Sequence, residues 1–331
     1  MAQAQEPDDL YTLRNRFWLG DFQMAIAEGN SLSRTLKDEA LKVEKDEFVY
    51  RSYVGLGQYG IVLNEVKEDA PLRLRAIRLL AEYVENREVK KDEEKRKEIL
   101  KRCDEWVQTY QASKTETTVQ LACALIYDRE DRNDDAFRAI LGQHSVEQMV
   151  LWAQLCLKIW RKDLALAQYE KLQKIDEDAP LTQLVGAWVH LAHGGDKVKE
   201  AAFAYEELID KFDASTSLLN GVAACHMHLG EFEEAEKYLL QAMSKSPCAE
   251  TLVNLLAASI HLGKPQEEQD RYISQLKSTY PTHPAVVRMI RNEETFDRVA
   301  DQMKKSAELK HPVDGGAVSK TPNDDDDDDD M

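Results

Sequence analysis

The 331 residues carry 43 Lys and Arg against 61 Asp and Glu, a formal net charge of −18. That acid excess speaks against a nucleic-acid binder, whose phosphate contacts need clustered Lys and Arg. With only 14 Gly and 9 Pro the chain does not fit a turn-rich sandwich, barrel or collagen-like fold, and its apolar content is too high for wholesale disorder.

The opening residues, MAQAQEPDDLY, are polar and acidic and lack the basic-then-apolar shape of a secretory signal. From there on, apolar residues recur at three- and four-residue spacing, the signature of helices about 12–18 residues long joined by short turns. Residues 86–98, NREVKKDEEKRKE, are almost wholly charged and lead into Ile99, Leu100, Cys103, Trp106, Val107 and Tyr110. They read as the solvated first turns of one long helix, laced with charge pairs four residues apart. Most of Val146, Met149, Val150, Ala153, Leu155, Cys156, Ile159 and Trp160 lie along one wide helical face. The pattern returns in Leu181, Leu184, Val185, Trp188 and Leu191, and again in Leu252, Leu255, Leu256 and Leu262. No apolar run approaches the roughly 18 residues that a membrane span needs. Periodicity ends at 310. Residues 311–331 read as a disordered acidic tail closing on Asp324 to Asp330.

The turns resemble one another. Leu19-Gly20-Asp21-Phe22, Leu56-Gly57-Gln58-Tyr59, Leu229-Gly230-Glu231-Phe232 and Leu262-Gly263-Lys264-Pro265 each end a helix on a glycine, the residue suited to a left-handed C-terminus. After the turn, Ala165, Tyr169 and Leu172 share a spacing with Ala201, Tyr205 and Leu208, and with Ala235, Leu239 and Ala242. A period near 34 with this grammar resembles the tetratricopeptide repeat. Its clearest unit is Leu219 to Pro247, LNGVAACHMHLGEFEEAEKYLLQAMSKSP. In the next unit Glu268 and Gln275 stand where small residues belong, as in a looser terminal repeat. The predicted fold is all-α: a right-handed α-solenoid of tetratricopeptide-like hairpins over residues 1–310, clearest over 145–282, because one hairpin cannot bury its own apolar face.

No constellation of catalytic residues emerges. Gly55-Leu-Gly57-Gln-Tyr-Gly60 is a literal GxGxxG after an apolar run, yet the strands and crossovers of a dinucleotide fold are missing. His190, His193, Cys225, His226 and His228 lack zinc-site spacing and fit packed or surface histidines better. Five scattered cysteines without a CxxC pair suit free thiols in a reducing compartment. The five tryptophans read mostly as core. Neither a cofactor nor a metal is expected.

Taken in order, LYTLRNRFWLGDFQMAIAEGN (10–30), FVYRSYVGLGQYGIVLNEV (48–66), AQYEKLQKIDEDAPLTQLVGAWVHLAHGGDKVKEAAFAYEELIDKF (167–212) and LLNGVAACHMHLGEFEEAEKYLLQAMSKSP (218–247) resemble the epsilon subunit family of coatomer, over roughly residues 8–305. The resemblance implies a non-enzymatic vesicle-coat protein. It further implies binding to the C-terminal region of the alpha subunit of coatomer and peripheral recruitment to Golgi membranes from the cytoplasm. The transport it implies is retrograde, from Golgi to endoplasmic reticulum. Independently, stacked hairpins offer a concave face suited to an extended or helical segment. Repeat geometry puts Ser217, Asn220, Ala224, Met227 and His228 on that face, then Val253, Asn254, Ala257 and Ile260, with Trp188 and Leu191 as weaker analogues. Two alternatives stand beside this reading. One is another repeat adaptor or cochaperone gripping a peptide carboxylate. The other is an enzyme, either nucleotide-dependent through Gly55 to Gly60 or the helical partner subunit of a transferase.

Overall fold

The computed structural model, which describes residues 8–310, is built of helices, four of them started by a side-chain cap from Asp38, Asp92, Ser145 and Ser215. In chain order they are α1 (Tyr11–Trp18), α2 (Phe22–Leu32), α3 (Glu39–Gly55), α4 (Tyr59–Glu65), α5 (Leu72–Glu85), α6 (Glu93–Tyr110), α7 (Thr117–Arg129), α8 (Asn133–Ala139), α9 (Val146–Lys158), α10 (Lys162–Ile175), α11 (Pro180–His193), α12 (Lys197–Phe212), α13 (Thr216–Leu229), α14 (Phe232–Lys245), α15 (Ala249–His261), α16 (Gln266–Thr279) and α17 (Pro284–Lys310). No strand occurs among the described residues. Two compact units are present, one through Ser278 and one from Thr279 that holds α17. The expected acidic tail, 311–331, lies outside the described residues.

Turn chemistry explains the hairpins. At Gly230 (φ +80°) two amides take the last carbonyls of α13: Gly230 N–H donates to the Met227 carbonyl at 3.1 Å and Glu231 N–H to His226 at 2.9 Å. Gly20, Gly57 and Gly263 repeat both the positive φ and the bonding. Two turns keep the bonds without the glycine, placing Asp131 (φ +57°) and Trp160 (φ +61°) in the left-handed region. Trp160 therefore lies beyond the end of α9 and is 81% exposed, against the expectation that it continues an apolar face. A residue at the left-handed turn position cannot follow the helical stripe into the core.

The charged stretch 86–98 also departs from expectation. It is not one helix: Asn86–Lys90 forms a π-helical turn, Lys91 (φ +54°) breaks the chain, and Asp92 caps α6 by accepting from Lys95 N–H at 3.0 Å. Its charges pair at other spacings than the expected four residues, Lys90 with Glu85 at 2.6 Å and Lys95 with Glu98 at 3.3 Å.

Two large core clusters of the first unit meet at α9. Leu151 and Leu155 of α9 join a cluster with α5, α6 and α7, while Met149, Val150, Ala153 and Cys156 of the same helix join one with α10 to α13. Ala235, Leu239 and Ala242 are fully buried along α14. Ala235→Leu is expected to overpack that hairpin and lower stability by about 1–3 kcal/mol, read as a reduced denaturation midpoint; an unmoved midpoint would mean that the register is wrong.

The stack also curls back on itself. Leu19 at the end of α1 is buried in the α9–α13 cluster, and its carbonyl accepts from Ser215 Oγ at 2.5 Å, 196 residues away. Trp18 Nε1 donates to Glu147 Oε1 at 2.8 Å. Arg51 of α3 grips Glu147 in the first turn of α9 with two bonds, 3.0 and 2.9 Å, and Glu47 with a third of 3.2 Å. Its guanidinium lies over the Phe17 ring at 4.4 Å. Thr118 of α7 donates to Glu47 at 3.1 Å, and Arg73 of α5 reaches Glu47 at 3.0 Å. Five first-of-hairpin helices, α1, α3, α5, α7 and α9, thus meet in one polar hub. Burial pushes the Glu47 carboxyl above its ordinary range, incompletely countered by Arg51. Burial also lifts Glu147, but the charge and hydrogen bonds of Arg51, with the Trp18 bond, outweigh it and hold Glu147 below the usual range.

Candidate partner-binding groove

The hub joins α1, α3, α5, α7 and α9, and the corresponding first helices of the later hairpins are α11, α13 and α15. Ser215 fixes the start of α13 by accepting from Leu218 N–H at 3.1 Å. Gly221 then lets the preceding hairpin close up. A Cβ there would stand 2.5 Å from the Tyr205 ring of α12, and one at Gly186 would stand 2.8 Å from the Tyr169 ring of α10. These tight seats repeat from hairpin to hairpin and set the spacing of the inner helices.

On α13 the expected contact residues Asn220, Ala224 and Met227 follow one another at i, i+4 and i+7, and all are half-buried. Val253, Ala257 and Ile260 do the same on α15, with Ile260 54% exposed. The two stripes are tied at one end. Asn254 Nδ2 donates to Asn220 Oδ1 at 3.2 Å, and Asn220 Nδ2 donates to Thr251 Oγ1 and to the Thr216 carbonyl, each at 2.8 Å. Cys248 Sγ lies 3.0 Å from Thr251 Oγ1 and extends the ladder. Beyond it, Ala224, Met227, Val253, Ala257 and Ile260 supply an apolar strip. His228 and Ser217 are exposed on α13. Trp188 and Leu191 pack partly buried against the α9–α13 cluster, so their contacts face inward.

The ladder bears on what this face can hold. A carboxylate clamp needs free amide or cationic donors. Both Asn220 N–H groups are committed to protein acceptors and Asn254 spends one on Asn220. The surface offers shape and apolar area instead.

Elsewhere the chemistry considered from sequence falls away on geometry. Gly55 closes α3 against the Phe22 ring, Gly57 is a hairpin turn and Gly60 opens α4, so the GxGxxG crosses a helix–turn–helix with no strand before it. His226 stacks on Tyr238 and bonds Glu231 at 2.7 Å, and His261 stacks on Phe232. Burial lowers the His190 pKa against Tyr169. Among the described residues no group of His, Cys, Asp and Glu is arranged to hold a metal. The five cysteines are free and four are buried. No described helix is long and apolar enough to cross a membrane.

The comparisons agree with this architecture. A family profile described as coatomer epsilon subunit matches residues 6–304. The chain belongs to the coatomer epsilon subunit family. It is 36% identical over 299 residues to coatomer subunit epsilon-1 of Arabidopsis thaliana, covering 90% of this chain and 98% of that one. With the coatomer epsilon subunit of Dictyostelium discoideum it shares 34% over 282 residues, covering 83% and 92%. In fold it is similar to a tetratricopeptide repeat protein of Parabacteroides merdae, with TM-score 0.52, 11% identity and coverage of 86% and 96%. It also resembles the hetero-tetramer structure of Cut9–Hcn1, with TM-score 0.52, 12% identity and coverage of 88% and 57%. Members of the coatomer epsilon family are structural coat components, and this chain is one of them rather than an enzyme. The helical solenoid expected from the 34-residue period stands.

Sequence reasoning found the stripes on α13 and α15 and missed the hub. No local signal marks Arg51 or Glu147, whose pairing spans 96 residues.

Proposed function

We propose that this coat protein holds the C-terminal region of the alpha subunit of coatomer on the face of α13 and α15. Through that hold it would join the rest of the coat on Golgi membranes and vesicles from the cytoplasm, and serve retrograde transport from Golgi to endoplasmic reticulum. The observation that carries the binding site is Ile260. A large aliphatic side chain, 54% exposed, continues a strip of half-buried apolar residues on two helices that take no part in the hub. Apolar area of this kind gains free energy when a partner covers it. Val253, Asn254 and Ala257 flank the strip on α15, Asn220, Ala224, Met227 and His228 on α13, and Trp188 and Leu191 support it from α11.

The experiment is calorimetric titration of the purified chain with the C-terminal region of the alpha subunit. Met227→Glu with Ile260→Glu is expected to weaken binding at least about tenfold, because two carboxylates would be desolvated without partners. The helical circular dichroism should stay unchanged. Wild-type affinity in the double variant would remove the groove from the account.

The cochaperone alternative gains no support from the committed asparagine donors. A peptide ending in a free carboxylate should therefore bind no better than its amide.

A further inference from the structure

The first hairpin touches the groove helix without entering the groove. Ser215 uses its hydroxyl twice, accepting from Leu218 N–H as the cap of α13 and donating to the Leu19 carbonyl. Capping needs only the acceptor. The donated bond serves the contact with α1. Gly20 follows at φ +80°, and a Cβ on it would stand 2.9 Å from Ser217 Cβ, so the turn lies directly against the first residues of α13. Leu19 is 3% exposed in a cluster with Leu181 and Leu184 of α11 and Leu218 of α13, and Trp18 bonds Glu147 at the start of α9. One three-residue turn thereby holds the N-terminal ends of α9 and α13 and shares a core cluster with the start of α11.

What those ends carry matters. Asn220 lies little more than a turn beyond the Ser215 cap, and its amide is the tie between α13 and α15. A helix moves as a rigid rod over such a length, so a shift at Ser215 is felt at Asn220 and along the strip to Met227. We infer that the turn Trp18–Gly20 is a clasp that positions α13 against α15, with Leu19, Gly20 and Ser215 as positioning residues that set the affinity of the groove from outside it. For its binding consequence the inference rests on the proposed groove. The clasp itself is also measurable without any partner.

The test pairs two substitutions at the shared hydroxyl. Ser215→Asp keeps an acceptor for Leu218 N–H but has no proton to give Leu19 at neutral pH. Ser215→Thr keeps both functions. The aspartate variant is expected to exchange amide hydrogens faster across residues 11–20. It should also weaken capture of the C-terminal region of the alpha subunit about tenfold, the scale of one buried hydrogen bond. Threonine restores both. Gly20→Ala attacks the same contact from the other side and covers the case in which Ser215→Asp does not fold. Unchanged exchange over residues 11–20 would mean that no clasp exists. Faster exchange with wild-type capture would mean that the clasp does not position the groove. Failure of the groove reading shows separately, as undiminished capture by the Met227→Glu, Ile260→Glu variant with normal exchange in α1.

Discussion

Arg51→Met is expected to destabilise the first unit by about 3 kcal/mol, more than any surface change in the chain, because it leaves two carboxylates without their main counter-charge. Glu47 is 3% exposed and already above its ordinary pKa through burial. Losing Arg51 pushes it further toward a neutral acid. Glu147 loses both of its guanidinium bonds and keeps only the Trp18 indole among its hydrogen-bond partners in the hub. The expected loss sits at the low end of the range for broken buried pairs for two reasons. Glu147 leaves a fifth of its side chain in water, and Arg73 stays 3.0 Å from Glu47. Chemical denaturation reads the effect directly. Arg51→Lys should recover part of it, since the charge returns without the planar two-bond geometry. A midpoint within error of wild type for Arg51→Met would mean that the hub contributes no net stability.

Gly221→Leu carries the second large expected effect, about 3 kcal/mol. Two terms oppose each other. Replacing a helical glycine gains up to about 1 kcal/mol of helix propensity. Against that, even the first added carbon stands 2.5 Å from the Tyr205 ring, and Tyr205 is 5% exposed, with no room to retreat. Overpacking wins, and the hairpin of α11 and α12 must part from α13. Gly60→Ala provides the opposite sign in the same chain. Gly60 lies in α4 with nothing within 4 Å of the added carbon, so only the propensity gain remains. Destabilisation at 221 and stabilisation at 60, measured in parallel, separate close packing from backbone entropy. Equal effects of one sign would contradict the packing account.

Local grammar made the hairpins legible. Gly20, Gly57, Gly230 and Gly263 sit where the chain needs a positive φ, and only glycine adopts it without penalty. Trp160 and Asp131 adopt the same conformation against their preference, held by the same two carbonyl bonds. A sequence pattern keyed to glycine therefore misses those turns and carries Trp160 into the core by mistake. The π-helical turn at Asn86–Lys90 was hidden for a related reason: uniform charge obscures a break that only Lys91 and the Asp92 cap reveal. Within the candidate site, the i, i+4, i+7 stripes of α13 and α15 follow from helical period alone. The Asn220–Asn254 tie joins residues one repeat apart, which the 34-residue spacing permits but does not announce. The curl was out of reach. Leu19 with Ser215 and Arg51 with Glu147 are contacts between distant repeats, and nearest-neighbour stacking, the physics that makes repeats readable, says nothing of them.

The central claim, that the partner seats on the inner face of α13 and α15, is tested most directly by site-specific photocrosslinking. A photoreactive residue replaces Ile260 in one protein and Leu240 in another, and each is irradiated with the C-terminal region of the alpha subunit. Both positions are exposed, Ile260 on the inner helix α15 and Leu240 on α14, the second helix of its hairpin. The account predicts an adduct from position 260 and none from position 240. An adduct from 240 with none from 260 would place the partner on the outer face and contradict it.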